Sequence, residues 1–321
     1  RAPIVANGYY SPNYIINGGM DIWQRGTSST TNAAYNSADR WWVYYNAGTT
    51  TFSKETSVVP TGFNSALKMS QATANASMVV YQFVETLNTR PLVGKTVTLS
   101  AYVAATAATT FNPEISWSTT VDAASGASWT TLTASGGTWS IPSGSTYARF
   151  SATYTIPSGA QTLRVGGVTA VTVGNSVYLA GVQLEEGSAA TTFRRNANSI
   201  QGELAACQRY YVRLRGSGGT AFTGIPAHGG ALSGTTMLGM INVPVTMRVD
   251  PTAVEAYALR LVNLQDNVSL AVTDVALSSS WANGYAPYAV FTCSGGGLSA
   301  NSYYRVGANN NGGSYLGLSA E

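Results

Sequence analysis

Apolar and polar residues alternate in short runs along most of this chain, which is the pattern of strands that bury one face. In the clearest run, Thr96 to Ala104, the side chains of Val97, Leu99, Ala101 and Val103 share one side. Further strands are predicted at Trp41 to Tyr45, Ala66 to Ser70, Met78 to Val84, Phe150 to Ile156, Leu163 to Val165, Val177 to Leu184, Thr236 to Val243, Val254 to Val262, Val268 to Leu277, Ala286 to Thr292 and Tyr303 to Val306. Short strands separated by Gly, Pro and Asn turns predict an all-β sandwich or barrel.

One segment, Ser199 to Leu214, has the spacing of a helix, with Asn198 or Ser199 as its N-cap. Its apolar residues repeat as two heptads: Ile200, Leu204, Cys207, Tyr211 and Leu214. Two heptads are too few for an independent coiled coil. The segment is therefore expected to pack on a sheet, or to meet two symmetry copies on an axis as a subunit interface.

The 321 residues are enough for two domains joined by this helix. Residues 1–12 are expected to be an arm or linker, 13–197 a β-domain, 198–215 the connecting helix and 216–321 a smaller β-sandwich or barrel. The Gly-rich stretch from Gly216 to Gly234 lacks a period and is expected to be a loop or hinge. Because the chain starts at Arg1, we expect it to be processed or cut from a longer protein.

The surface is neutral and polar, since only 10% of residues are charged against about 25% in an ordinary domain. Such surfaces are typical of chains that pack side by side in durable assemblies, and also of small secreted β-domains. The net charge is +3 and the Arg residues are scattered, which argues against nucleic acid as a partner. No apolar run is long enough to insert into a bilayer.

Catalytic groups are scarce in this sequence. The single histidine, His228, is expected in the flexible Gly-rich loop, with no serine nucleophile motif around it. The two cysteines, Cys207 and Cys293, are expected to be packed hydrophobes, and no zinc-binding cluster exists. Glycoside hydrolysis needs two facing carboxyl groups. The adjacent Glu185 and Glu186 would point to opposite faces of a strand, so Glu114 and Asp122 are the best remaining pair.

Aromatic residues are the better candidates for binding, because flat rings stack on the C–H faces of sugars. Trp117, Trp129 and Trp139 lie in a region rich in Ser, Thr, Gly and Ala, and Trp281 and Tyr285 lie near turns. These five residues are predicted to contact a glycan. The alternative is that they pack between strands or at a subunit contact.

Three further features bear on binding. Trp41 and Trp42 are adjacent, so a strand there buries one ring and turns the other outward. The polar loop Asn309 to Asn311 suits receptor contact or an ordinary loop. The pair Arg194-Arg195 suits a subunit contact or a solvated connector.

An ordered series of segments resembles phage and prophage tail-fibre or head-fibre proteins. The segments are Asn13 to Gly26, Ala38 to Trp41, Leu92 to Ser100, Ala180 to Gly187, Phe193 to Arg195 and Glu203 to Tyr211, with a weaker match at Val243 to Arg248 and Pro251-Thr252. The resemblance implies that residues 13–197 form a jelly roll similar to carbohydrate-binding modules. Such modules often hold a structural Ca²⁺, to which Asp21 would contribute one oxygen. Ala180-Gly181 stands where two further carboxylates are usual, so this site lacks two of the oxygen ligands that commonly bind Ca²⁺.

These observations predict a non-enzymatic fibre protein of a virion. The resemblance implies a homotrimer that assembles with other virion proteins and binds a host-surface polysaccharide. Two alternatives stay open. One is a capsid decoration or head-fibre protein with a purely structural role. The other is a polysaccharide depolymerase.

Overall fold

A computed structural model describes residues 12–73, 76–216, 224–263, 268–278, 286–308 and 313–321. The chain divides into two compact units, Arg1–Leu204 and Ala205–Glu321. The division falls inside a helix, α2 (Ile200–Gln208). A one-turn helix, α1 (Thr86–Thr89), is followed by the 3-10 turn Arg90–Leu92. Nearly all other regular structure is β-strand, which confirms the predicted all-β class.

The strands of the first unit are antiparallel and form two sheets. In chain order they are β1 (Ser28–Ser29), β2 (Trp42–Tyr45), β3 (Thr49–Glu55), β4 (Ala66–Thr73), β5 (Ala76–Val84), β6 (Thr96–Ala105), β7 (Thr109–Ser118), β8 (Thr130–Thr131), β9 (Trp139–Ile141), β10 (Ala148–Thr155), β11 (Thr162–Val171) and β12 (Ser176–Glu186). The first sheet has the order β1-β3-β4-β12-β6-β10, and the second has the order β2-β5-β11-β7-β8, with β9 also paired to β7. From β4 to β7, and again from β10 to β12, successive strands alternate between the sheets, as in a jelly roll.

The core of this sandwich lies between the two sheets and follows the predicted alternation. On β6, the side chains of Val97, Leu99, Ala101 and Val103 are buried in one apolar cluster. Trp41, which lies directly before β2, is fully buried in the same cluster. The sandwich thus buries one side of each sheet, and the other side remains for solvent, covering segments or ligands.

The second unit contains a closed barrel and a separate three-stranded sheet. Its strands are β13 (Tyr211–Arg215), β14 (Gly224–Ala231), β15 (Thr236–Ile241), β16 (Ala253–Tyr257), β17 (Leu259–Asn263), β18 (Val268–Leu277), β19 (Tyr288–Cys293), β20 (Tyr303–Ala308) and β21 (Tyr315–Ser319). In the described residues the barrel order is β14-β15-β19-β18-β17-β20, and the sheet order is β13-β21-β16. The predicted order of sandwich, helix and smaller barrel is confirmed.

The predicted helix from Ser199 to Leu214 is too long. The helix ends at Gln208, and Tyr211 and Leu214 lie on β13, which pairs with β21 over five residues. The run Tyr210-Tyr211-Val212 is aromatic and β-branched, and these residue types favour a pleated strand over a helix. The predicted two-heptad seam therefore does not exist as one helical face.

Two predictions in the second unit are also wrong. Part of the Gly-rich loop is strand β14, in which a Cβ at Gly229 would lie 1.9 Å from the carbonyl oxygen of Leu238. Glycine thus permits close approach to β15, while residues 217–223 lie outside the described residues. The predicted single strand from Val254 to Val262 is two strands, broken at Ala258 with φ 50°.

Candidate functional site

The solvent-facing side of the second sheet carries aromatic side chains where an exposed sheet face is normally polar. On β2, Val43 points into the core, and Trp42 and Tyr44 point the other way and are half-buried. Their ring planes lie 3° apart with centroids separated by 5.9 Å. Since Trp41 is buried, the prediction that one of the two adjacent tryptophans faces outward is confirmed.

Three more rings join this pair, and we call the set Tyr35, Trp42, Tyr44, Phe83 and Trp129 the aromatic face. Phe83 lies at its centre, 6.3 Å from Trp42 and 5.5 Å from Trp129 between ring centroids. The Tyr35 ring lies 6.4 Å from that of Phe83. The rings meet at angles between 47° and 70°. They form one continuous aromatic cluster that crosses from β2 to the segment before β8, in which Phe83 is buried and the other four rings are half-buried.

A polar group adjoins the aromatic face because one position of the sheet lacks a side chain. Tyr81 on β5, Gly166 on β11 and Glu114 on β7 stand directly opposite one another in register. The Tyr81 hydroxyl reaches across β11 and donates a hydrogen bond to Glu114 Oε2 at 2.8 Å. Because Gly166 has no side chain, the phenol ring passes over it without obstruction.

Arg164 sits between this polar group and the aromatic face. Its guanidinium carbon lies 4.3 Å from the Tyr81 ring centroid and 5.4 Å from that of Trp129. Arg164 Nη2 donates to Glu114 Oε1 at 2.6 Å and to Ser116 Oγ at 3.1 Å. Ser116 Oγ in turn donates to Glu114 Oε1 at 2.6 Å. The cation is thus held by an ion pair and by two aromatic rings.

These contacts determine how the groups titrate. Burial raises the pKa of Glu114, but hydrogen bonds from Ser116, Tyr81 and Arg164 outweigh it and hold the pKa below 4.5. Burial and the nearby Glu114 carboxylate raise the pKa of Tyr81. At neutral pH the group therefore contains one carboxylate, one guanidinium and a neutral phenol. The charges of Glu114 and Arg164 compensate one another.

The lowered pKa of Glu114 predicts a pH dependence of stability. A folded-state pKa below the unfolded value means that ionised Glu114 stabilises the fold above about pH 4.5 and loses this contribution as the pH falls through the folded-state pKa. We expect Glu114→Gln to lower the free energy of unfolding by about 1 kcal/mol at neutral pH. Urea melts across roughly pH 3 to 7, the range in which carboxyls titrate, measure this difference. The free energies of unfolding of wild type and variant should differ at neutral pH and converge in acid. A gap independent of pH would contradict this.

Two of the three predicted tryptophans lie elsewhere. Trp139 on β9 is 3% exposed, and its ring stacks on Phe111 and Phe150 at 5.4 and 5.6 Å. Its assignment to a glycan site is therefore wrong, because its ring is enclosed in the core. Trp117 on β7 is half-buried and packs against the core, on the side opposite to Glu114. Only Trp129 belongs to the aromatic face.

Several residues proposed from sequence as contacts for a glycan or receptor lie outside the part of the chain that the structure describes. Trp281, Tyr285 and the loop Asn309 to Asn311 lie outside the described residues, as does the arm before residue 12. His228 lies on β14 with its ring 5.6 Å from that of Tyr303. The expectation of a loop histidine is wrong, because β14 is a strand of the barrel.

The predicted calcium ligand Asp21 already has a cationic partner. Its Oδ2 accepts a hydrogen bond from Arg195 Nε at 3.0 Å, and its side chain is 5% exposed. At the position of the missing carboxylates, Gly181 has φ 60°, and a Cβ there would lie 2.7 Å from Phe63 and 2.8 Å from Tyr102. Within the described residues, no group of three or more His, Cys, Asp or Glu side chains is placed to hold a metal ion.

The five residues proposed for a subunit interface differ in how far they are exposed to solvent. Ile200 and Leu204 on α2 are 40% and 36% exposed, and Cys207 is buried. Tyr211 is buried on β13, and Leu214 packs against the apolar core of the second unit. Only the first two are available for contact with another chain. Cys207 and Cys293 are both buried and form no disulfide, and Cys293 packs in the apolar core of the second unit, which confirms the prediction of a packed hydrophobe for Cys293.

The carboxylates considered for catalysis have structural partners. Glu114 is held as described, and Asp122 Oδ1 accepts a hydrogen bond from the backbone N–H of Thr86 at 2.9 Å. Glu185 is buried and bonds Thr191, while Glu186 is exposed and pairs with Lys95 at 2.7 Å. The adjacent pair thus points to opposite sides, as its strand position predicts.

A second aromatic group lies on the outer face of the three-stranded sheet. The guanidinium carbon of Arg213 lies 3.3 Å from the Tyr315 ring centroid. The Tyr257 ring lies 6.0 Å from that of Tyr315, and Tyr257 is 52% exposed. This group is smaller than the aromatic face, and sequence reasoning did not identify it.

The comparisons with known proteins give distant likenesses in fold. No family model and no curated protein matches this sequence. A putative sugar-binding protein from Bacteroides thetaiotaomicron is similar over 55% of this chain and 100% of its own (15% identity, TM-score 0.38). The C-terminal family 22 carbohydrate-binding module of Clostridium thermocellum Xyn10B is similar over 58% and 99% (13% identity, TM-score 0.37).

The enzymatically active domain of bacteriophage CBA120 tailspike protein 4 is also similar, at 14% identity and a TM-score of 0.37. The similarity covers 55% of this chain but only 21% of the tailspike chain. In the described part of the chain, no helix is long and apolar enough to cross a membrane. What this chain does must therefore be inferred from its own side chains.

Proposed function

We propose that the first unit binds a polysaccharide through the aromatic face and does not cleave it. The observation that carries this proposal is the row of half-buried rings on the solvent side of the second sheet, led by Trp42, Tyr44 and Trp129. Ring pairs on an outward sheet face stabilise the fold by about 1 kcal/mol each, but the parts of the rings that stay exposed contribute nothing to folding. Rings at such a surface are therefore best explained by a ligand that stacks on them.

Polar groups on the same side of the sheet as the rings suit the hydroxyl groups of a sugar. Asn112 is exposed on the same side of β7 as Glu114, and its Oδ1 accepts a hydrogen bond from Thr138 Oγ1 at 2.7 Å. Thr131 Oγ1 donates to Glu114 Oε1 at 3.3 Å. Amide and hydroxyl side chains on the same sheet face as flat rings provide both parts of glycan recognition: stacking and directed hydrogen bonds.

The fixed carboxylates support binding without catalysis. Hydrolysis of a glycosidic bond needs one carboxyl that gives up a proton and a second that attacks or activates water. Hydrogen bonds from Ser116, Tyr81 and Arg164 lower the pKa of Glu114, which is unfavourable for a general acid. A reducing-end assay on every polysaccharide that binds distinguishes the depolymerase alternative, for which released ends are expected.

An immobilised array of bacterial surface polysaccharides tests the binding proposal on the full chain. We expect binding to a subset of neutral glycans, with apparent Kd values of about 10 to 100 μM per site, because shallow stacking sites bind weakly. Binding should survive moderate salt, since the charges at the site are internally paired. The absence of binding to any polysaccharide on the array would contradict the proposal.

The setting we propose is a homotrimeric virion fibre that contacts other virion proteins and a host-surface glycan. It rests on the sequence resemblance and on the small charged fraction of the chain. A trimer would engage several weak sites at once and so raise the avidity. Light scattering should return three protomers; a strict monomer would overturn this setting. A decoration protein, in contrast, would bind assembled capsids and no glycan.

A further inference from the structure

Two buried hydrogen-bond donors at the aromatic face have no acceptor. They are Trp129 Nε1 and Arg164 Nε, and neither has a hydrogen-bond partner among the described residues. Their side chains are neighbours, with the guanidinium carbon 5.4 Å from the Trp129 ring. Buried N–H groups are nearly always paired in folded proteins, so two orphaned donors on adjacent side chains require an explanation.

We infer that these donors receive the carbonyl oxygen of an acetamido group, and that the aromatic face selects N-acetylated sugars. This inference rests on the proposed function of glycan binding. Both atoms can only donate, so a partner for either must be an acceptor. Sugar hydroxyls accept as well, but an amide carbonyl is the stronger acceptor and brings a methyl group that needs apolar contact.

The charges around the donors favour a neutral acceptor over a carboxylate. Arg164 already forms an ion pair of 2.6 Å with Glu114, and its charge is compensated there. A second carboxylate at Arg164 would lie near Glu114 and be repelled by it. An acetamido carbonyl adds no charge, and its methyl group can rest on Phe83, whose ring is 5.5 Å from Trp129.

Access to the donors requires a movement of Trp129, because both atoms are buried. The chain around Trp129 allows it. Between β7 and β9 most side chains are exposed, and this segment joins the sheet through the two-residue strand β8. The ring is held by packing on Phe83 and Arg164 and by no hydrogen bond of its own in the described residues. A small outward shift of the ring therefore breaks no hydrogen bond.

The test measures, by calorimetry, the affinity of the full chain for three oligosaccharides of equal length: oligomers of N-acetylglucosamine, of glucose and of galacturonic acid. We expect the N-acetylated oligomer to bind about tenfold more tightly than the glucose oligomer, since two hydrogen bonds are gained. Trp129→Phe keeps a ring but removes one donor. It should reduce this ratio about fivefold, and Arg164→Lys should also reduce it.

Trp117→Phe is the matched control, because Trp117 packs on the core side of β7 and should leave the ratio unchanged. Equal binding of the N-acetylated and glucose oligomers would overturn the inference and leave the proposed function intact. Tightest binding of the galacturonic acid oligomer would also overturn it, in favour of a carboxylate ligand. Failure of all three to bind, together with a blank polysaccharide array, would overturn both.

Discussion

Replacing Trp42 with alanine is expected to lower the affinity for a bound polysaccharide about thirtyfold, a loss of about 2 kcal/mol. Trp42 provides the largest outward ring on β2 and lies between Tyr44 and Phe83. Its removal takes away the stacking surface and also removes one packing partner from each neighbour. Equilibrium binding by calorimetry, with the best ligand from the polysaccharide array, measures the effect.

Tyr257→Ala is the control for this result. Tyr257 is an exposed aromatic residue in the other unit, so its removal tests whether any surface ring would have the same effect. We expect Tyr257→Ala to bind like wild type, and thermal melts should show that both variants fold. Unchanged binding by Trp42→Ala would contradict the proposed site. A loss with Tyr257→Ala would instead place a ligand on the three-stranded sheet.

Gly166→Ala is expected to have the largest effect on stability, a loss on the order of 3 kcal/mol in the free energy of unfolding. A Cβ at Gly166 would lie 1.9 Å from the carbonyl oxygen of Val80 and 3.1 Å from the Cα of Tyr81. Both contacts are to backbone of the neighbouring strand β5, which cannot move aside as a flexible side chain can. The two strands must separate locally, and Tyr81 then loses its position above β11.

Gly126→Ala provides the comparison for this substitution. Gly126 lies in the exposed segment before β8, and a Cβ there would contact nothing within 4 Å. Urea unfolding should show that Gly126→Ala is as stable as wild type or slightly more so, because alanine restricts the unfolded chain. If both variants unfolded at the same urea concentration as wild type, the close approach of β11 to β5 would be wrong.

Periodicity predicts most of the framework of the site. The core-facing positions of β6, the all-β class and the outward position of one of the two adjacent tryptophans follow from local residue pattern, because successive side chains of a strand point to opposite faces. The predicted helix extends more than one turn beyond its actual end at Gln208, because Tyr211 and Leu214 fit a heptad as well as a strand. The ladder between β13 and β21 decides between them, and it joins residues about a hundred positions apart.

The polar group of the site could not be predicted for the same reason. Tyr81, Glu114 and Arg164 belong to three strands that are distant in sequence. Their meeting depends on the register of β5, β11 and β7, which a single sequence does not specify. Trp129 was identified because it is aromatic in a polar region, but the same criterion selected Trp139, which the core encloses. Residue type alone did not separate the two.

A crystal structure of the full chain with its best glycan ligand tests the central claim most directly. We predict a sugar ring stacked on the aromatic face, in contact with Trp42 or Trp129 and within hydrogen-bonding distance of side chains on β7 or β11. A sugar bound instead at Tyr257, or on the outer side of the first sheet, with the aromatic face uncontacted, would contradict the account.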